Sequence, residues 1–228
     1  MIAVSNPIAE SLVKLGSDKR KIEVIPNGYD DSLFFPRESQ DARTRLNLPL
    51  DRRILLVVAN LVPQKGHRYL IEALQQVVKI NRDLLLVIVG KGDLEQELRT
   101  LASKLDLSDR ILFAGPRPHD EVEKWINSCD LFVLPSIKEG SPTILAEVMA
   151  CGKPVVASSV GGVPDMVQDG RTGCLVPAAN VEELSKAILE SLDRNWDSRE
   201  ICEAGRKYSW KSLAPRIVEV YRSAAGSG

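Results

Sequence analysis

The chain has 228 residues, of which 44% are hydrophobic and 27% charged, a composition typical of one large or two small globular domains. Its formal net charge is −1, so no long-range field draws it to nucleic acid or to an anionic membrane. The longest apolar runs, near 54–62 and 84–89, are too short to cross a bilayer.

The cysteines and the first residues bear on the compartment. Cys129, Cys151, Cys174 and Cys202 are widely spaced in apolar surroundings, which favours buried thiols over disulfides or metal ligands. The start, MIAVSNPIAE, lacks the basic region of a signal peptide. We therefore expect a reducing, cytoplasmic location.

The first 50 residues predict little regular structure. A helix is expected over 6–15 and a short strand over 22–25, closed by a turn at Pro26-Asn27-Gly28. Residues 37–50 look like a polar linker with a short helical piece.

From residue 54 onward, apolar strands alternate with amphipathic helices. Strands are predicted over 54–59, 84–89, 111–114, 131–134, 155–157 and 174–176. Helices are predicted over 67–80, 94–105, 120–128, 141–150, 181–192 and 209–224, and residues 226–228 are expected to be disordered. Strands this rich in Val, Ile and Leu fit a sheet covered on both faces. The alternation predicts an α/β fold, a doubly wound, Rossmann-like parallel sheet that binds ligands at the carboxyl ends of its strands.

Two acids stand out in the stretch 131–165. Glu139 lies in the loop after a strand, and Glu147 lies inside the next helix on the same stripe as Thr143. Two carboxylates should therefore border one cleft. The N-terminus of the helix favours phosphate there, whereas the carboxylates favour neutral hydroxyls. A molecule with a central diphosphate and a sugar at each end meets both demands.

The start of that helix has its own signal. Ser141 offers a hydroxyl that can cap the helix, and Pro142 suits the first helical position. Gly140, Ser141, Pro142 and Thr143 are therefore candidate binding residues.

Glu139-x7-Glu147, set in EGSPTILAEVMACGKPVVAS and followed by GGVPDMVQDGRTGCLVP, resembles the signature of glycosyltransferase family 4 (group 1). These are retaining, metal-independent enzymes of the GT-B fold. The resemblance implies that Glu139 touches the hydroxyls of the donor sugar as a catalytic residue. It implies that Glu147 holds the ribose of the nucleotide.

The same resemblance divides the chain. VSNP, VIPNGYD and LFFP match the seam between the two GT-B domains. Residues 1–36 would be a remnant of the N-terminal domain and linker, 37–208 the donor-binding domain, and 209–228 a crossover helix and tail. An N-terminal acceptor domain would be missing, so we expect the fragment alone to be inactive. Further expected partners are an acceptor glycan or lipid and, through the absent domain, a membrane surface.

The loop after the first long strand carries a cation. The family commonly shows Gly-Arg-x4-Lys-Gly here, and its two cations clamp the diphosphate. Lys65-Gly66 matches, and the resemblance makes Lys65 catalytic. Asn60 stands where Arg is usual, and an amide cannot grip phosphate as a guanidinium does.

The remaining candidates are weaker. The run Gly90–Asp93 fails a dinucleotide fingerprint because Glu95 replaces the third glycine, so Gly92 either lets backbone approach a nucleotide or makes a plain turn. Arg117 either borders the nucleotide base or phosphate or is simply exposed. We interpret His67 and His119 as structural. With no Asp-x-Asp in the sequence, we expect neither a metal nor a cofactor.

Two alternatives to sugar transfer stay open at this point. A GT-B relative with different chemistry, such as a nucleotide-sugar epimerase or a phosphorylase, would share these motifs. A non-catalytic nucleotide-sugar-binding module would also fit, given Asn60.

Overall fold

The computed structural model describes residues 1–225, and in that part of the chain six parallel strands form the central sheet. The strands of this sheet are β3 (Arg53–Val58), β4 (Leu84–Val89), β5 (Ile111–Gly115), β6 (Leu131–Leu134), β7 (Val155–Ser158) and β8 (Gly173–Val176). A separate parallel pair joins β1 (Ile2–Ala3) to β2 (Glu23–Val24). The helices are α1 (Asn6–Lys14), α2 (Ser39–Arg45), α3 (His67–Ile80), α4 (Glu95–Lys104), α5 (His119–Ser128), α6 (Thr143–Ala150), α7 (Val163–Met166), α8 (Val181–Asp193), α9 (Ser198–Arg206) and α10 (Trp210–Ala225).

The strand order of the central sheet is β5-β4-β3-β6-β7-β8. The chain moves outward from β3 to β5 on one side, then returns to place β6 against the other side of β3. The predicted doubly wound parallel sheet is confirmed. Because the chain leaves β3 and β6 in opposite directions, a crevice opens at their carboxyl ends, where such sheets bind ligands.

Alternate side chains of the central strands pack into two hydrophobic cores, one on each face of the sheet. Ile54 and Leu56 pack into the core that includes α5 and α6, whereas Leu55 and Val57 pack into the core that includes α3 and α8. The four inner strands, β3, β4, β6 and β7, are therefore buried on both faces along most of their length, whereas the edge strands β5 and β8 are partly exposed. This burial explains the unbroken apolar sequences of the inner strands, which would be unstable against water on either side.

The predicted elements agree with the structure except at boundaries and in three short segments. Strands expected at 84–89 and 131–134 and the helix expected at 67–80 have the predicted bounds. The sequence prediction missed β1, α7 and α9. The prediction of disorder for 226–228 lies outside the described residues.

The amino-terminal segment packs against α7 and α10 through α1 and β2. Asp165 caps α1, since its carboxylate accepts hydrogen bonds from the backbone N–H of Asn6 (3.0 Å) and from Asn6 Nδ2 (2.9 Å). Arg216 of α10 donates to Glu23 Oε1 (2.8 Å) and to the carbonyl of Val24 (3.0 Å). Both ends of the described chain therefore meet beside the loop that follows β7.

The cysteines are all free thiols, as the sequence predicts. Cys129 and Cys151 are buried, but Cys174 and Cys202 are only partly buried, so the expectation of four buried thiols is wrong for these two. The helices within 1–225 fall short of the length and apolar character needed to span a membrane.

Candidate functional site

The loops after β3 and β6 bring a cation and an anion together in the crevice. Lys65 lies in a short 3₁₀ turn, Pro63–Lys65, and its Nζ donates to Glu139 Oε1 at 2.7 Å. The Lys65 side chain is 28% exposed and the Glu139 side chain 7%. An ion pair this sheltered from water is screened less than a surface pair. The structure thus joins the two residues that the sequence marks as catalytic, 74 positions apart.

A third residue, Ser136, holds the same carboxylate oxygen. Its side chain is fully buried, and Ser136 Oγ donates to Glu139 Oε1 at 2.6 Å. Both contacts are made to Oε1, so neither of them engages Oε2. The sequence interpretation missed Ser136, although a serine three residues before an acid in a short turn is a recognisable local signal.

Backbone contacts set the relative position of the loops. The N–H of Ile137 donates to the carbonyl of Gln64 at 2.8 Å, which joins the β6 loop to the β3 loop. The N–H of Gly162 donates to the carbonyl of Gly140 at 2.8 Å, which joins the β6 loop to the β7 loop.

Gly161 has a φ of +54°, and a Cβ there would lie 1.9 Å from the carbonyl oxygen of Glu139. Only glycine allows that approach without displacing the main chain on which Glu139 sits.

The start of α6 differs from the prediction. The helix begins at Thr143, and Pro142 precedes it in an extended conformation as the N-cap. Ser141 does not cap it, and Pro142 is not its first helical residue, so both expectations are wrong. Just before the helix, the Gly140 carbonyl is hydrogen-bonded to the β7 loop.

The N–H of Leu145 donates to the carbonyl of Pro142 at 3.1 Å. The N–H groups of the first turn that a ligand could reach are therefore those of Thr143 and Ile144.

Glu147 is more deeply buried than expected for a residue on the helix face that was predicted to border a cleft. Residues Leu145–Ala150 are all buried, so α6 is covered on nearly every side, and the Glu147 side chain is only 6% exposed. Its Oε1 lies 2.9 Å from Nε2 of His119, the first residue of α5. Burial raises the pKa of Glu147, and the hydrogen bond and charge of His119 oppose that rise. The interpretation of His119 as merely structural therefore missed a polar contact of a candidate binding residue.

His67 behaves as a buried structural residue. It is 1% exposed, and neither ring nitrogen meets a hydrogen-bond partner within residues 1–225. Burial, assisted by the charge of Lys65, lowers the pKa of His67 to about 4.

Three candidates lie further along the carboxyl edge. Asn60 is exposed directly after β3. A Cβ at Gly92 would lie 2.3 Å from the carbonyl oxygen of Leu61, so the close backbone approach at Gly92 is to the β3 loop.

Arg117 makes its contacts away from the carboxylates of Glu139 and Glu147. Its guanidinium donates to the carbonyl of Ala114 at 2.8 Å and lies 5.2 Å from the ring centroid of Trp125.

Within residues 1–225, no group of three or more His, Cys, Asp or Glu side chains has a metal-binding arrangement. The structure joins Lys65, Glu139 and Ser136 in one polar cluster and Glu147 with His119 in a second.

The family described as "Glycosyl transferases group 1" matches residues 38–208, about three quarters of the chain. The chain belongs to the group 1 glycosyl transferases. Its match includes both carboxylates, Lys65 and the whole central sheet.

Similar group 1 proteins and solved structures agree with this placement. A D-inositol 3-phosphate glycosyltransferase of Acidothermus cellulolyticus is 32% identical over 95% of this chain and 51% of its own length. A sucrose-phosphate synthase from Thermosynechococcus elongatus has a TM-score of 0.86 and 31% identity, covering 100% of this chain and 58% of that one. Anabaena HepE, in complex with UDP, has a TM-score of 0.87 and 25% identity, covering 97% and 63%. The chain thus spans about half the length of the curated relatives that it matches.

Proposed function

We propose that this group 1 domain binds a nucleotide diphosphate sugar and forms the donor half of a retaining, metal-independent glycosyltransferase of family 4. The observation that carries the proposal is the Lys65–Glu139 pair at the switch point between β3 and β6. A paired cation and acid suit a ligand that presents an anion beside hydroxyl groups. A dinucleotide cofactor would need the glycine fingerprint that the chain lacks.

The diphosphate would bind to Lys65 and to the first-turn N–H groups of α6. Both are positive groups within a crevice whose backbone is tightly held. In the transfer step the bond between the anomeric carbon and the diphosphate oxygen breaks, and negative charge grows on that oxygen. Lys65 and the amides would stabilise this charge in place of a metal or another cofactor. Asn60, Gly92 and Arg117 remain candidate donor-site residues around this centre.

The two carboxylates would hold the hydroxyl-bearing ends of the donor. Glu139 would accept hydrogen bonds from the sugar, with Gly140, Ser141, Pro142 and Thr143 forming the loop beside it. Glu147 would accept hydrogen bonds from the ribose. The acceptor hydroxyl oxygen would bond to the anomeric carbon on the face that the diphosphate leaves, which preserves the anomeric configuration. The hydroxyl proton would pass to the departing diphosphate oxygen.

Relatives support the reaction class, and the rest of the whole protein's action is proposed with it. The Acidothermus relative is named as a glycosyltransferase, and the HepE structure holds UDP. We propose that an acceptor-binding N-terminal domain completes the active site. It would receive a glycan or lipid acceptor in the cytoplasm and could place the enzyme on a membrane surface.

Calorimetry on this chain tests the donor site. We expect UDP, GDP or ADP to bind, and the matching nucleoside monophosphate to bind at least tenfold more weakly because it contacts Lys65 less. Chelation with EDTA should leave the affinity unchanged. Lack of binding by all three diphosphates, or an unchanged affinity in Lys65→Met, would overturn the proposal.

A further inference from the structure

His119 and Glu147 belong to different helices, yet their side chains share a polar contact. His119 opens α5 after the edge strand β5, and Glu147 lies in the middle of α6. Nε2 of His119 is 2.9 Å from Glu147 Oε1. With Glu147 ionised, Nε2 is the donor and the carboxylate oxygen the acceptor.

The two side chains differ sharply in exposure. Glu147 is 6% exposed, whereas His119 is 66% exposed. A carboxylate that is removed from water is costly unless it is hydrogen-bonded, so the imidazole supplies a partner that Glu147 needs. The His119 ring therefore lies between the buried Glu147 carboxylate and solvent.

A second contact fixes the orientation of the ring. The imidazole of His119 packs against buried Phe34, with ring centroids 5.3 Å apart and an interplanar angle of 57°. Phe34 belongs to the segment before α2, so the ring is held between two other parts of the chain. The donor hydrogen is thereby directed at Oε1, and the bond leaves Oε2 outside this contact.

We propose that His119 is a positioning residue of the ribose subsite, holding Oε1 of Glu147 so that the carboxylate is presented to the ribose hydroxyls. The inference rests on the proposed function, because it takes Glu147 as the ribose acceptor. His119 itself does not touch the reacting atoms. Its action passes through Glu147, since a carboxylate with one oxygen anchored loses less side-chain freedom when the ribose binds.

Two variants separate the hydrogen bond from the packing. His119→Phe keeps an aromatic ring against Phe34 but removes the donor, whereas His119→Gln offers an amide donor at a similar reach. The ligands are whichever of UDP, GDP and ADP binds most tightly, and its 2′,3′-dideoxy counterpart. Calorimetry gives each affinity, and thermal unfolding checks that every variant is folded.

We expect His119→Phe to weaken binding of the ribonucleotide about tenfold and His119→Gln to restore most of that loss. The dideoxy nucleotide should bind equally well to all three proteins. In a Glu147→Gln background, His119→Phe should have little further effect, because both changes break the same chain of contacts.

Some outcomes would overturn the inference alone. These are an unchanged ribonucleotide affinity in His119→Phe, an equal loss for the dideoxy ligand, or additivity with Glu147→Gln. Other outcomes would overturn the proposed function and this inference with it. These are a wild-type chain that binds none of the diphosphates, or one that binds the dideoxy form as tightly as the ribonucleotide.

Discussion

Lys65 Nζ and Glu139 Oε1 lie 2.7 Å apart, so the cation and the acid of the crevice neutralise each other before any ligand arrives. A diphosphate that binds Lys65 must compete with Glu139 for the ammonium group. The pair therefore sets the charge that an incoming donor meets, and the two residues should respond in opposite ways to mutation.

Glu139→Gln should tighten the binding of a nucleoside diphosphate several-fold, because Lys65 loses its anionic partner. Lys65→Met should weaken the same binding by about tenfold or more, because the charge-assisted contact to phosphate is lost. Calorimetry with the diphosphate measures both changes. The uncharged nucleoside is the control ligand, and its affinity should not change in either variant. Equal weakening in both variants would show that Glu139 does not compete for Lys65.

Ser136→Ala should lower the free energy of unfolding by about 1–2 kcal/mol, because a largely buried carboxylate loses a donor. Urea denaturation measures this change. A double-mutant cycle with Glu139→Gln supplies the control. The loss of unfolding free energy caused by Ser136→Ala should be smaller in the Glu139→Gln background, where the hydroxyl no longer donates to a charged carboxylate. A Ser136→Ala effect of the same size in both backgrounds would mean that the hydroxyl stabilises something other than Glu139.

His67 should make the fold sensitive to acid. Its folded-state pKa is lowered to about 4 from an ordinary value of 6.5, so the unfolded chain binds more protons between these values. Stability is therefore full above pH 6.5 and falls as the pH drops toward 4. At pH 5 the loss from His67 should be about 2 kcal/mol.

The matched variant for this effect is His67→Leu, which carries no titrating group and has a side chain of similar size. The difference in unfolding free energy between pH 7 and pH 5 should be about 2 kcal/mol smaller in His67→Leu than in the wild type. Urea denaturation at the two pH values measures it. Identical pH dependence in both proteins would show that the buried imidazole is not the titrating group.

Gly161→Ala should be strongly destabilising, by about 3 kcal/mol, because it combines a left-handed φ with a clash against the Glu139 carbonyl. Gly115 is the control. Its φ is +73°, but a Cβ there would meet nothing within 4 Å, so Gly115→Ala carries only the conformational cost of about 1 kcal/mol. Thermal and urea unfolding of both variants measure the difference. Similar losses for the two would indicate that the loop contact at Gly161 relaxes freely.

The sequence predicted the sheet well because its strands are buried on both faces and are therefore unbroken apolar runs. Glu139 and Lys65 were predicted as site residues because they lie in motifs at loops that follow such strands, and Glu147 because it lies in the helix after one of these loops. The Lys65–Glu139 contact could not be predicted by periodicity, since it depends on β6 lying beside β3, and strand order is a property of the whole chain.

The contact between His119 and Glu147 was missed for a related reason. It joins two helices that leave different strands, and no local pattern marks the pair. The cap of α6 was placed too early because Ser141-Pro142 satisfies the local rule for a helix start. In the structure the helix begins at Thr143, just after a segment whose Gly140 carbonyl is bonded to the β7 loop, a tertiary contact that no local rule includes.

The loops that carry Lys65 and Glu139 are joined to each other and to the β7 loop by main-chain hydrogen bonds. Main-chain contacts of this kind do not depend on the identity of neighbouring exposed side chains such as Ile137 and Lys138. Those positions can therefore vary during evolution without shifting the charged pair. This leaves the outer surface of the loop free to diversify among relatives while the charged pair keeps the same backbone support.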